Sequence, residues 1–181
     1  MNYIQYVQPS ESKSGDKIFN ISNLKSLEKF ATYLSEKLFP GCALFIDGPL
    51  GIGKTTLIRS ILERWNIKSI GSPTFSKVIT YQSKLFNKER NSDLQNDSND
   101  SRSTDNESMN NEQPVGSEFF VWHSDAYNME NTEYLKEYLF EFEEGILIVE
   151  WSELIPYKDL WDSRIEVNVN EHRIASVKET Y

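Results

Sequence analysis

Between Gly48 and Thr55 the chain reads Gly-Pro-Leu-Gly-Ile-Gly-Lys-Thr, with a second threonine, Thr56, directly after. Glycines at this spacing let a backbone curl until successive N–H groups point inward, the arrangement that cradles phosphate oxygens. A lysine beside the last glycine reaches β- and γ-phosphates, and the hydroxyl that follows meets the magnesium ion those phosphates carry. These roles fall to Lys54 and Thr55, while Thr56 is placed for an α-phosphate. A plain glycine turn is the competing reading. The flanks favour the phosphate loop, because an apolar run at residues 43–47 precedes it and Leu57, Ile58, Ile61, Leu62 and Trp65 recur at helical spacing after it. A helix starting near Lys54 adds the positive end of its dipole. In the empty loop the Lys54 side chain is expected to face solvent.

Such a loop needs a carboxylate to hold the metal, usually at the end of a neighbouring buried strand. Glu150 closes the apolar run Gly145-Ile146-Leu147-Ile148-Val149, which puts it at the carboxyl edge of a sheet, where open α/β folds place their ligands. It is the preferred magnesium ligand, together with Thr55. Asp125 follows the strand-like residues 119–122 and either assists the metal, orients an attacking water, or only forms a turn. Lys54, Asp125 and Glu150 are thus the expected catalytic set. His123 and Trp151 beside them read as packing or hydrogen-bonding residues.

The elements that must position these groups alternate between two periods. Residues 18–21 read as a strand, and Ser22 or Asn23 can cap a helix carrying Leu24, Leu27, Phe30, Ala31, Leu34 and Leu38. Residues 78–82, 119–122 and 146–150 read as strands, 131–140 as a helix, and 165–169 with 174–177 as a closing hairpin. The order predicts an α/β fold, a three-layer sandwich of the phosphate-loop NTPase kind with a mainly parallel central sheet. One domain over residues 18–178 is expected after a flexible segment 1–17, interrupted by an insertion at about 84–117.

The core of that insertion, residues 87–113, is almost wholly Asn, Ser, Asp, Glu, Gln, Lys and Arg, a composition that predicts disorder at a hairpin tip. Its seven acidic and three basic residues carry −4 of the net charge of −9, leaving −5 for the remainder. An acidic surface disfavours direct binding of nucleic acid, which is driven by Lys and Arg displacing counterions. Cys42 is the only cysteine, so an internal disulfide is excluded. No apolar run approaches the roughly 20 residues of a membrane span, and the expected compartment is the cytoplasm, with an organelle left open.

With these residues in view, the chain resembles the TsaE (YjeE) family of small phosphate-loop ATPases that support threonylcarbamoyladenosine synthesis in tRNA. Four landmarks carry the resemblance in order: Gly48 to Thr56, then Ser72-Pro73-Thr74-Phe75, then His123-x-Asp125-x-Tyr127, then Glu150-Trp151. The resemblance implies ATP contacts by Gly51, Ile52, Gly53, Lys54, Thr55 and Thr56, magnesium held by Thr55 and Glu150, and an Asp125 needed for activity. It places Thr74 in a switch-like segment and Trp151 beside the site, and suggests further ATP contacts at Asn23, Glu153 and Arg173. Partners resembling TsaB and TsaD are implied, with tRNA reached only indirectly and no membrane involved. Three positions depart from the family. Pro49 stands where Asp is usual, Asn128 where Arg is usual, and the long insertion replaces a tight hairpin.

Two other readings share the loop. A small-molecule or nucleoside kinase transfers the phosphate to an acceptor, but it needs several arginines and a lid. Outside the insertion only Arg59, Arg64, Arg164 and Arg173 are present. A non-hydrolysing module would use ATP only to fix a switch segment for a partner.

Overall fold

The computed structural model describes residues 10–11, 16–69, 71, 73, 78–84, 118–139 and 142–181. The tract 87–113, most of the N-terminal segment, Ser72, Thr74, Phe75 and Phe140 lie outside them. The strands are β1 (Ser10–Glu11), β2 (Lys17–Asn20), β3 (Ala43–Asp47), β4 (Val78–Lys84), β5 (Glu118–Asp125), β6 (Gly145–Glu150), β7 (Arg164–Val169) and β8 (Ile174–Thr180). They form one sheet in the order β1-β2-β8-β7-β3-β6-β5-β4.

The fold is α/β with a parallel centre. Strand β3 lies between β7 and β6, parallel to both, and β6 is parallel to β5. The wings are antiparallel: β8 turns back on β7, β2 adds to β8, and β4 adds to β5. Residues 164–169 and 174–180 make the expected closing hairpin.

Period two along the central strands sorts their side chains onto two faces. Leu44 and Ile46 of β3, Phe119 and Val121 of β5, and Ile146 and Ile148 of β6 share a core with the buried stripes of two helices. These are α1 (Leu24–Lys37), burying Leu27, Phe30, Ala31 and Leu34, and α2 (Lys54–Arg64), burying Leu57, Ile58, Ile61 and Leu62. Asn23 caps α1: its Oδ1 accepts from the Ser26 N–H at 2.9 Å while the Asn23 N–H donates to Ser26 Oγ at 3.3 Å. Leu24 is the exception to the apolar stripe, 63% exposed in the first turn.

The opposite face carries Phe45, Trp122, Leu147 and Val149, covered by Leu135, Ile155 and Trp161. Its covering layer is built from short 3-10 segments rather than α-helices. Residues 131–140 were the expected helix, and Thr132–Leu139 is a 3-10 helix. Three residues per turn set Leu135 and Tyr138 in one row, with Tyr138 5.4 Å from the Trp122 ring.

Strands β4 and β5 end with Lys84 opposite Glu118, so the two arms of the hairpin close on each other before the polar tract begins. Replacing residues 87–113 by a short turn is therefore expected to leave the thermal midpoint and ATP affinity nearly unchanged, since loop length contributes only logarithmically to closure entropy. Calorimetry of the shortened chain checks this, and a collapse of stability would show that the tract packs.

Candidate functional site

The phosphate loop leaves β3 at Asp47 and enters α2 at Lys54. Gly48 has φ 143°, and a Cβ placed there would lie 2.5 Å from the Val169 carbonyl oxygen, so the loop passes too close to the end of β7 for any side chain. Gly53, at φ 109°, is the residue from which α2 starts. Gly51 is exposed, Ile52 is buried with its N–H donating to the Pro49 carbonyl at 3.3 Å, and Thr56 is exposed.

Lys54 is not solvent-facing. It is only 6% exposed, and its Nζ donates to the carbonyls of Gly48 at 2.6 Å and Pro49 at 3.0 Å. The ammonium also lies 3.6 Å from the centroid of the Trp151 ring. Burial pulls the Lys54 ammonium below its ordinary range, against the charges of Glu150, Asp125, Asp47 and Glu153.

Glu150 ends β6 and is 2% exposed. The Thr55 hydroxyl reaches its two carboxylate oxygens at 2.9 and 3.1 Å, and His123 Nε2 lies 3.0 Å from Oε1. Immediately after it the chain turns sharply, with Trp151 at φ 58°, a left-handed conformation that costs a non-glycine residue about 1–2 kcal/mol. The turn brings the indole under Lys54, and the Tyr127 ring lies 5.2 Å from it.

Asp125 is the last residue of β5, in register with Glu150 on the adjacent strand. It closes the strand and also caps the 3-10 turn of residues 126–128 that follows, so the turn-forming reading holds as well. Its carboxylate accepts from the Tyr127 N–H at 3.1 Å and from Asn128 Nδ2 at 2.7 Å. Asn128, which stands where the family usually has Arg, is thus engaged with Asp125. Burial, and then the charge of Glu150, push the Asp125 carboxyl above its ordinary range, opposed by the bonds from Asn128 and Tyr127.

The structure brings Thr55, Glu150 and His123 into direct contact, sets Asp125 beside them, and holds Lys54 close by against Trp151 and the loop carbonyls. It does not do the same for Asn23, Glu153 and Arg173. The Asn23 side chain is occupied in capping α1, and Glu153 and Arg173 are exposed. All three nonetheless lie around the same end of the sheet. Arg173 is in the β7–β8 turn, where its carbonyl accepts from the Ile21 N–H at 2.9 Å, and the Glu153 N–H donates to Asp47 Oδ1 at 2.8 Å.

Sequence reasoning missed Asp47, Ser152 and Lys158. Asp47 Oδ2 accepts from Ser152 Oγ at 2.7 Å and from Lys158 Nζ at 3.3 Å, and Lys158 also donates to Ser152 Oγ at 3.0 Å. This cluster fastens the start of the phosphate loop to the turn after Glu150. Asp47→Ala leaves the buried Ser152 hydroxyl and the Glu153 N–H without their acceptor, for an expected loss of about 1–3 kcal/mol per unsatisfied group. Urea denaturation measures it, and Asp47→Asn, which keeps an acceptor oxygen, should lose less.

The chain is similar in sequence to known proteins. The family model described as "Threonylcarbamoyl adenosine biosynthesis protein TsaE" matches residues 21–94. The tRNA threonylcarbamoyladenosine biosynthesis protein TsaE of Rickettsia typhi is 26% identical over 166 residues, spanning 87% of this chain and 92% of its own length. The protein of that name from a Nostoc species is 28% identical over 149 residues, spanning 78% and 71%. The crystal structure of YdiB from Bacillus subtilis shares the fold, with a TM-score of 0.55 and 21% identity over 91% of this chain and 84% of that one.

Proposed function

We propose, with the chain's membership of the TsaE family as the premise, that it binds ATP with Mg2+ at the phosphate loop and hydrolyses it in support of the assembly that makes threonylcarbamoyladenosine in tRNA. The observation that carries the ATP and magnesium reading is the Thr55 hydroxyl resting on both oxygens of Glu150, at the mouth of a glycine loop that ends in a lysine. A hydroxyl and a carboxylate are hard oxygen donors, the kind magnesium takes.

In this reading the N–H groups of the loop hold the phosphates and Lys54 exchanges the Gly48 and Pro49 carbonyls for β- and γ-phosphate oxygens. Bound magnesium would neutralise charge on the transferring phosphate. Asp125, whose carboxyl is raised by burial, orients the attacking water or accepts its proton. Among the described residues, Arg164 lies away from the loop, where a kinase would need it. Arg164 stands opposite Ala43, at the far end of β3 from the loop, and pairs with Asp159 and Glu166.

No helix among the described residues is long and apolar enough to cross a membrane. The net charge of −5 outside the polar tract argues that contact with tRNA passes through partner proteins, resembling TsaB and TsaD, in the cytoplasm. The purified chain is expected to turn over ATP slowly and to accelerate when the partners are added, because a site completed in trans supplies transition-state contacts that the free protein lacks. Phosphate release with and without partners, and tRNA retention by the isolated chain at physiological salt, test this. Full-speed turnover alone or tight tRNA binding would overturn the partner-dependent reading.

A further inference from the structure

Strand alternation places His123 on the face of β5 that carries Phe119 and Val121, inside the layer covered by α2. Every other central-strand position facing that layer, apart from the two carboxylates at the strand ends, is aliphatic or aromatic. The imidazole is 1% exposed there, so its polar atoms are withdrawn from water and must be compensated by bonds within the protein. Its Nδ1 has no hydrogen-bond partner among the described residues. Its Nε2 is 3.0 Å from Glu150 Oε1. With Glu150 ionised, the nitrogen facing it carries the proton and donates.

The carboxylate is thus held from two sides, by His123 on Oε1 and by the Thr55 hydroxyl on both oxygens. These two restraints differ in kind. Thr55 belongs to the nucleotide loop, and in the reading above its oxygen turns to the metal. His123 belongs to the sheet, one strand away from Glu150, in register with Ile148. It is the restraint that can persist when a cation takes the other one. A carboxylate fixed in this way presents its remaining lone pairs in one direction, and such outer contacts commonly contribute 10–100-fold in metal affinity or activity.

We propose that His123 is a positioning residue for Glu150, donating from Nε2 to hold the carboxylate in the orientation that receives the divalent cation. The proposal rests on Glu150 being a metal ligand and adds the group that aims it. His123→Leu fills the same space without a donor, whereas His123→Gln places an amide N–H near the position of Nε2.

The test measures binding of Mn2+ in the presence of a non-hydrolysable ATP analogue by electron paramagnetic resonance, for the full chain and both variants. It is paired with metal-free analogue affinity and urea midpoints. His123→Leu is expected to weaken Mn2+ binding by about 10-fold or more, with metal-free nucleotide affinity unchanged, and His123→Gln to recover most of the loss. Equal Mn2+ affinity in the Leu variant and the unaltered chain overturns the positioning role, as does an equal loss in both variants. If the unaltered chain binds no Mn2+ with the analogue, it is the metal reading of Glu150 that fails, and the proposal with it. Should His123→Leu not fold, imidazole 15N resonances of the unaltered chain decide. The His123 Nε2–H signal should move when Mg2+ is added to the ADP-bound protein, and a signal that stays in place contradicts the proposal.

Discussion

Lys54→Ala is expected to lower the proposed ATP affinity and turnover together by about 10²–10⁴-fold, because two charge-assisted hydrogen bonds to phosphate would contribute about 1.5–3 kcal/mol each. The same substitution also acts on the empty protein. Lys54 is buried against Trp151 and donates to the carbonyls of Gly48 and Pro49, so its removal deletes a cation–π contact of about 0.5–2 kcal/mol and two hydrogen bonds. A lower thermal midpoint is expected beside the loss of function, and the fold should survive because the hydrophobic face of α2 is untouched. Lys54→Met, which keeps the aliphatic stem over the indole, should restore part of the stability and none of the activity. Isothermal titration with an ATP analogue and differential scanning calorimetry separate the two effects. Normal turnover in either variant would remove the phosphate-loop assignment.

Glu150→Gln is the second large effect. An amide is a poorer ligand for a hard cation than a carboxylate, and magnesium-dependent turnover is expected to fall by about 10²-fold or more. Nucleotide binding without metal should change little, since the loop N–H groups and Lys54 hold the phosphates. Folding should also hold. The amide keeps one acceptor for Thr55 or His123, and replacing a buried charge by a neutral group of equal size removes a desolvation cost as well as an attraction. The check is turnover as a function of Mg2+ concentration. An unchanged magnesium dependence would move the metal role to Asp125, which stands in register on the next strand.

How far the sequence carried depends on how local the determinants are. The unit of β3, loop and α2 was legible because each part has its own short-range signal, an apolar run, a glycine spacing and a helical stripe. Asn23 announced the start of α1 for the same reason. The segment after Asp125 was harder. Leu135 and Tyr138 fit an α-helix and a 3-10 helix equally well by spacing, and the aromatic surface they pack on decides between the two. The Asp47, Ser152 and Lys158 cluster was invisible because it joins residues 105 and 111 positions apart, with no local pattern to mark it. The contact of His123 with Glu150 is hidden in the same way, since only the parallel register of β5 and β6 brings them together. The burial of Lys54 could not be read from the motif, which carries no signal for the Trp151 ring or the Gly48 and Pro49 carbonyls that the lysine meets. Asn23, Glu153 and Arg173 rest on resemblance alone; the Asn23 side chain caps α1, and Glu153 acts on Lys54 through its charge.

The central claim is that this chain holds ATP through magnesium at Thr55 and Glu150 and cleaves it. The most direct measurement follows phosphate release from ATP by the purified chain across a Mg2+ titration, with Lys54→Ala and Glu150→Gln prepared identically. Slow release that saturates with Mg2+ in the unaltered chain, and is lost in both variants, is the predicted result. Release that ignores Mg2+, or persists undiminished in the two variants, would contradict the account.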